Sequence, residues 1–356
     1  MAQKNPFTVS FGRIPYEYIP RPRQTQQILD MFNEMPVTDQ MYMIVGVRGS
    51  GKTVMLNTVI SELKKEPEWI VLKISPNDNI LETLYRDLWN HDFMKEHFSK
   101  KAVNWKLKAG PVEVSSGDKA DFPEPSLNLR IDEMLEYADK KKKKVLVGID
   151  EITDSESMIA FSSALQIFIG NNRPVYFLGT ALHENLERLR NVSNLTFLYR
   201  APRIQLQPLD LAVISDSYQT TLGISEKRAD QMAVLTKGYS FAYQALGFVY
   251  WENKEKLKEL NDIVPEYDYY LSDFSYKKIW SELSEKDKKV SWAISLHDGE
   301  KVSVIREECG MSSGLFSVYR ERLKNRGIIN VTIYGKISFS LPRFSEFIQK
   351  IRREEM

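Results

Sequence analysis

The sequence is poor in the residues that build disulfide frameworks and metal centres. Cys309 is the single cysteine among 356 residues, which excludes an intrachain disulfide and removes any argument for an oxidising compartment. The four histidines, His91, His97, His183 and His297, do not supply with one cysteine the ligands of a structural zinc site. His91 and His97 are not an i,i+4 pair and read as surface or core residues. No uninterrupted apolar stretch approaches the ~20 residues of a membrane helix. Met1-Ala2-Gln3-Lys4-Asn5-Pro6 also lacks the apolar segment of a signal peptide, so the expected location is the cytoplasm. An excess of charge is missing too. Lys and Arg number 49 against 48 acids, for a net +1, which excludes a protein that coats polyanions by bulk charge. Local basic surfaces have to be sought domain by domain.

What is present is a chain longer than one hydrophobic core usually grows, so two or three domains are expected. Residues 46–53, Gly46-Val47-Arg48-Gly49-Ser50-Gly51-Lys52-Thr53, match the phosphate-loop pattern G-x-x-x-x-G-K-[ST]. Met41–Val45 before them is a short continuous apolar run, as in a strand buried on both faces. Met55, Leu56, Val59, Ile60 and Leu63 after them form the stripe of an amphipathic helix, which must stop near Pro67. Strand, glycine loop and helix are the context the pattern requires. Its glycines let the backbone turn tightly and aim N–H groups at phosphates, and the helix adds its positive dipole end. The expected nucleotide-binding residues are Gly46, Val47, Arg48, Gly49, Ser50, Gly51, Lys52, Thr53 and Val54. Lys52 would meet the β- and γ-phosphates and Thr53 would ligate Mg2+, so ATP with magnesium is the expected ligand.

A second buried-strand run, Val145–Ile149, ends in Asp150-Glu151. An acid at the C-terminal end of a parallel strand points into the crevice where ligands bind. Asp150 is suited to hold magnesium, and Glu151 to polarise the attacking water. The adjacent acidic pair favours the ATPase branch with an inserted central strand over the Ras-like branch. The strand Val175–Thr180 would lie beside the phosphate-loop strand. The Thr180 hydroxyl then either faces the γ-phosphate or attacking water, or caps its strand. The candidate catalytic residues are thus Lys52, Glu151 and Thr180.

Two further strands, Trp69–Ile74 and Arg203–Gln207, complete a five-stranded parallel α/β sheet within residues 1–208. Helices are expected at Asp78–Phe98, Leu127–Lys140 and Ser155–Ile169, with an irregular insertion at Ser99–Pro125. The run Lys140–Lys144 reads as a solvated helix end, with a nucleic-acid patch as the alternative. Residues 209–268 read as helices only, a small lid. Residues 269–356 give helices Glu285–Leu296, Val302–Cys309 and Gly314–Asn325. A hairpin, Ile328–Ile333 with Ile337–Ser340, and a last helix, Pro342–Arg353, make this a winged helix. Arg320, Arg322, Lys324, Arg326, Lys336 and Arg343, against Glu321, give residues 312–343 a local charge suited to double-stranded DNA. Winged helices also bind proteins.

These motifs, with Gly179-Thr180 and the order core, lid, winged helix, resemble AAA+-related ATPases of the archaeal and bacterial initiator and signalling types. The origin-recognition and cell-division-control initiators share this layout, as do the signal-transduction ATPases with numerous domains. The resemblance implies that the lead-in Pro15–Arg21 packs near the adenine. It also implies a finger arginine among Arg188, Arg190, Arg200 and Arg203. Initiator ATPases carry a sensor-2 arginine in the lid helix, and Phe241–Trp251 has none. Lys237-Gly238-Tyr239-Ser240 looks instead like the G-x-P lid motif of the signalling branch, with Ser240 in the proline position. The expectation is a slow ATPase whose nucleotide state switches a winged-helix output. A DNA-binding ATPase of replication, transposition or transcription type is the alternative, as is an ATP-binding module whose winged helix binds protein. An oligomer is compatible with the sequence.

Overall fold

The computed structural model describes residues 4–10, 14–34, 36–99, 126–257, 259–332 and 334–354. Residues 100–125 of the expected insertion, and Ile333 of the expected hairpin, lie outside them. Five strands, β1 (Met41–Val45), β2 (Trp69–Ile74), β3 (Lys144–Ile149), β4 (Val175–Ala181) and β5 (Arg203–Gln205), form a parallel sheet in the order β2-β3-β4-β1-β5. The register sets Ile149 opposite Gly179, and Ile44 opposite Thr180. The C-terminal ends of β1, β3 and β4 are therefore level. The phosphate loop after β1, Asp150 after β3 and Thr180 near the end of β4 thus meet on one edge.

Strand alternation fills both sides of this sheet. Tyr42 and Ile44 face α1 (Pro22–Asn33) and α2 (Lys52–Leu63), whose Phe32, Leu56 and Val59 are wholly buried. Met43, Val45, Val145 and Val147 face the other way. They pack on α3 (Ile80–Asn90), α4 (Leu127–Lys140), α5 (Glu156–Gly170) and α6 (His183–Asn191). Serines at the N-caps, Ser126 and Ser155, accept from the third backbone N–H of α4 and α5. The single helix expected at Asp78–Phe98 is interrupted: α3 ends at Asn90, His91 is extended, and a short helix comes next.

The second half is helical, with α7 (Leu211–Leu222), α8 (Glu226–Thr236), α9 (Ser240–Asn253) and α10 (Val264–Leu271). A π-turn at Ser272–Tyr276 and a short helix at Lys277–Ser281 continue α10. Next come α11 (Glu285–Leu296), α12 (Val302–Cys309), α13 (Ser313–Asn325), an antiparallel hairpin of β6 (Ile329–Val331) with β7 (Ile337–Phe339), and α14 (Phe344–Glu354). This is the order of a winged helix. The boundary expected at 268/269 falls inside α10. The buried side chains on both sides of it, from Leu209 to Ile348, form one cluster. Lid and winged helix therefore share a core, because α10 and the π-turn run through it. Phe7 from the N-terminal segment joins that cluster, its ring 5.5 Å from Tyr243. No described helix is long and apolar enough to cross a membrane.

Candidate functional site

The phosphate loop leaves β1 at Gly46 and enters α2 at Lys52. Lys52 is 7% exposed, and its Nζ donates to the carbonyls of Gly46 (2.9 Å) and Val47 (3.0 Å). Burial pushes its pKa down to about 8, against an upward pull from Glu151. Thr53, Val54, Asp150 and Glu151 line the same cleft, of about 660 Å³, as Lys52. That volume is in the range of a small-molecule site. Hydroxyl and carboxylate oxygens suit a hard cation, so Thr53 and Asp150 fit magnesium.

Thr180 is wholly buried, and its hydroxyl is used on both sides. It donates to Asp150 Oδ1 (2.6 Å) and accepts from the Glu151 N–H (2.9 Å). Of the two expectations for Thr180, these bonds are those of a hydroxyl that ties the ends of neighbouring strands together. Thr180 fixes the two acids. Glu151 carries a φ of 56°, a left-handed conformation that costs a non-glycine residue free energy and gathers at functional sites. Its side chain is exposed to the cleft, 3.9 Å from Arg48.

The lid closes on the loop through three consecutive residues. Tyr239 Oη donates to the carbonyl of Arg48 (2.6 Å), Ser240 Oγ to that of Ser50 (3.0 Å), and the Phe241 N–H to that of Gly49 (3.0 Å). Burial holds the Tyr239 phenol protonated and able to donate. Gly49 makes this contact possible: at a φ of 78°, a Cβ there would lie 2.2 Å from Tyr239 Oη. Ser240, in the expected lid motif, thus has a direct partner on the loop.

The lead-in lies beside α2 and the lid. Pro15, Tyr18, Ile19 and Arg21 line a second, narrower pocket with Val54, Met55, Tyr243 and Gln244. Gln244 ties the lead-in to the lid by donating to the Glu17 carbonyl (2.6 Å). Arg21 Nη2 lies 3.5 Å from both Ser50 O and Ser240 Oγ. Gln244 carries no sequence motif, and the contacts of Arg21 and Tyr239 are not stated by theirs. Their placement comes from tertiary packing.

The C-terminal half touches the site as well. Arg48 lies 3.6 Å from Glu282, which also pairs with Lys278 (3.2 Å). Arg326 pairs with Glu184 of α6 (3.5 Å). The expected DNA surface is correspondingly reduced. Arg322 pairs with the buried Asp287, Arg326 with Glu184, and Arg343 with Asp268 at 2.8 Å. These three cations stabilise the protein's own folds. On α13, Leu315 is 39% and Val318 61% exposed, and wing residue Tyr334 is 87% exposed. None of Arg188, Arg190, Arg200 and Arg203 lines the nucleotide cleft.

Two family models match the sequence. One, described as type III restriction enzyme, res subunit, covers residues 17–177. The other, a domain of unknown function (DUF8462), covers residues 274–348. No curated protein matches it. Among solved structures, the ORC2 protein of Aeropyrum pernix, in its ADPNP–ADP complexes, is similar with a TM-score of 0.60 at 12% identity, over 98% of each chain. The Cdc6p protein of Pyrobaculum aerophilum aligns with a TM-score of 0.46 at 14% identity, over 98% of this chain and 97% of that one. A signal transduction ATPase with numerous domains from Pyrococcus horikoshii aligns with a TM-score of 0.40 at 14% identity, over 94% of this chain and 42% of that one. The likeness to ORC2 spans nearly the whole chain. The chain has the fold of that ORC2 protein, a five-stranded parallel sheet carrying a phosphate loop, followed by a helical half with a small hairpin.

Proposed function

We propose that this chain is an ATP-driven switch. It binds ATP with magnesium between the P-loop core and the lid, hydrolyses it slowly, and uses the nucleotide state to set the position of its C-terminal half. The observation that carries this is the run of hydrogen bonds from Tyr239, Ser240 and Phe241 to the carbonyls of three consecutive P-loop residues. A phosphate chain entering the loop changes the lid's own contacts. Differential contact of this kind is what lets a ligand shift a conformational equilibrium.

The roles derive from placement. Backbone N–H groups of the loop and the start of α2 cradle the phosphates, and Lys52 neutralises them. Thr53 and Asp150 hold magnesium, which screens the charge of the β- and γ-phosphates. Thr180 keeps Asp150 in place, and Glu151 polarises the water. Slow turnover is supported by the cleft lining, which contains no arginine from the lid helix or from the four finger candidates; such an arginine contributes roughly 10³–10⁵ in rate. Residues 1–208, 209–268 and 269–356 serve as core, lid and output, the last two moving as one body around their shared cluster.

For the output, protein recognition is better supported than double-stranded DNA. The presumed recognition helix exposes Leu315 and Val318, and Arg322 and Arg326 are spent internally. The switch is tested by limited proteolysis of Glu151→Gln protein loaded with ATP or with ADP. The expected result is a different cleavage pattern in 237–282 for the two nucleotides. Identical patterns would sink the switch.

A further inference from the structure

Sixteen of the described residues line the nucleotide cleft, and five of them come from the C-terminal half: Ser240, Phe241, Gln244, Phe274 and Lys278. Lys278 is the one charged side chain among those five. The π-turn at Ser272–Tyr276 puts it there. That turn is anchored by Ser275 against Tyr239 Oη (2.7 Å) and by Tyr276, whose hydroxyl donates to the Pro342 carbonyl (2.5 Å). π-turns inside helices are uncommon and gather at functional sites. Phe274 and Lys278, on either side of Tyr276, then face the cleft.

The present partner of Lys278 is replaceable. Its side chain is 59% exposed, and its pair with Glu282 is of a kind that contributes little in water. Glu282 would not be stranded by losing it, because Arg48 holds the same carboxylate. A lysine on a flexible four-carbon stem, lining the same cleft as Lys52, Thr53 and Glu151, is placed to exchange a shared carboxylate for a phosphate oxygen. A charge-assisted bond to a multiply charged phosphate is the stronger of the two.

Resting on the ATP-site assignment above, we infer that Lys278 is the γ-phosphate sensor of this chain, a cation delivered by the C-terminal half where the lid helix supplies none. Glu282 is its release partner. It holds Lys278 when the third phosphate is missing and keeps Arg48 when Lys278 leaves. The neighbouring Ile279 is buried in the C-terminal cluster, so a pull on Lys278 moves the helix that carries the winged helix. Nucleotide state and output are thereby joined through one side chain. Lys278 touches the substrate and not the water, so it acts as a specificity residue for triphosphate over diphosphate.

The experiment compares the affinities of full-length protein for ADP and for the non-hydrolysable analogue ADPNP. Wild type, Lys278→Met, Lys278→Arg, Glu282→Gln and Lys277→Met are measured. Lys278→Met is expected to lose about tenfold in ADPNP affinity, the size of one charge-assisted bond, with ADP affinity unchanged. Lys278→Arg restores the preference and Glu282→Gln raises it. Lys277→Met, which removes the same charge from the same short helix but lies outside the cleft, leaves both affinities alone. Equal losses for ADP and ADPNP in Lys278→Met, or no loss for either, would overturn the sensor while leaving the nucleotide site standing. A wild type that binds neither nucleotide overturns the site itself, and the sensor with it.

Discussion

At the scale of single residues, Lys52 carries the sharpest consequence. Its ammonium is 7% exposed, and burial lowers its pKa from 10.5 to about 8. Between those values the unfolded chain binds more protons than the folded one. This group therefore adds stability as pH rises from about 8 towards 10.5, and detracts from it below. A polyphosphate reverses the balance by favouring the charged lysine. Binding of ATP at pH 8 should then take up roughly half a proton at this position. Calorimetry at pH 8 in two buffers of different ionisation enthalpy measures that uptake, and Lys52→Met should abolish both binding and uptake. Binding of ATP without proton uptake would show that Lys52 is already fully charged. Lys52 itself was legible in the sequence, because the motif and its flanking apolar patterns determine the loop. The role of Thr180 was not. Its hydroxyl is committed to Asp150 and to the Glu151 N–H by the pairing of β3 with β4. Which of two polar partners a strand-end hydroxyl reaches is decided by register, which one strand's sequence does not state. The pairing of Arg322, Arg326 and Arg343 was hidden for the same reason, since Asp287, Glu184 and Asp268 belong to other elements.

At the scale of elements, the strands and most helices were readable from hydrophobic period and caps, down to Leu127–Lys140, Glu285–Leu296 and Val302–Cys309. The placement of α9 on the loop was not readable, and it depends on the turn before it. Gly238 has a φ of 75°, and a Cβ there would lie 2.4 Å from the Leu209 carbonyl oxygen. The Leu209 N–H in turn donates to the Gly238 carbonyl (2.8 Å). Gly238→Ala meets both the left-handed strain of about 1–2 kcal/mol and a backbone clash. The relief available is a shift of α9 away from the core, which pulls Tyr239, Ser240 and Phe241 off their three carbonyls. The expected result is a loss of about 2 kcal/mol or more in denaturant unfolding, together with weaker ATP binding. If stability fell and ATP affinity held, the turn would matter to the fold but not to lid placement.

At the scale of the whole molecule, the nucleotide site lies between a sheet-based core and a helical half with one shared cluster, so motion between the halves is the coupling to expect. The phosphate loop and α6 meet the helical half through the three lid bonds, Arg48 with Glu282, and Arg326 with Glu184, while the N-terminal segment meets it through Asn5, Phe7, Thr8, Glu17 and Arg21. Arg326 is the test of its pair with Glu184. Its side chain is 12% exposed against 20% for Glu184, and its Nη1 also donates to the Glu282 carbonyl (3.4 Å). Arg326→Met strands Glu184 in a partly dry seam and should lower stability by about 1–2 kcal/mol, less than for a fully buried pair. The halves should then separate more readily, with proteolysis appearing at residues 206–210, where the chain passes from β5 into α7. The reversed pair, Glu184→Arg with Arg326→Glu, should recover much of that loss, because a latch needs opposite charges in contact rather than a particular sign at either end. A DNA contact has no such symmetry. If Arg326 instead met phosphate, Arg326→Met would weaken binding to duplex DNA and the reversed pair would weaken it further. Fold stability and protease sensitivity would then be unchanged. Measuring unfolding, cleavage and duplex binding on the same three proteins therefore separates an arginine that holds the two halves together from one that holds a nucleic acid.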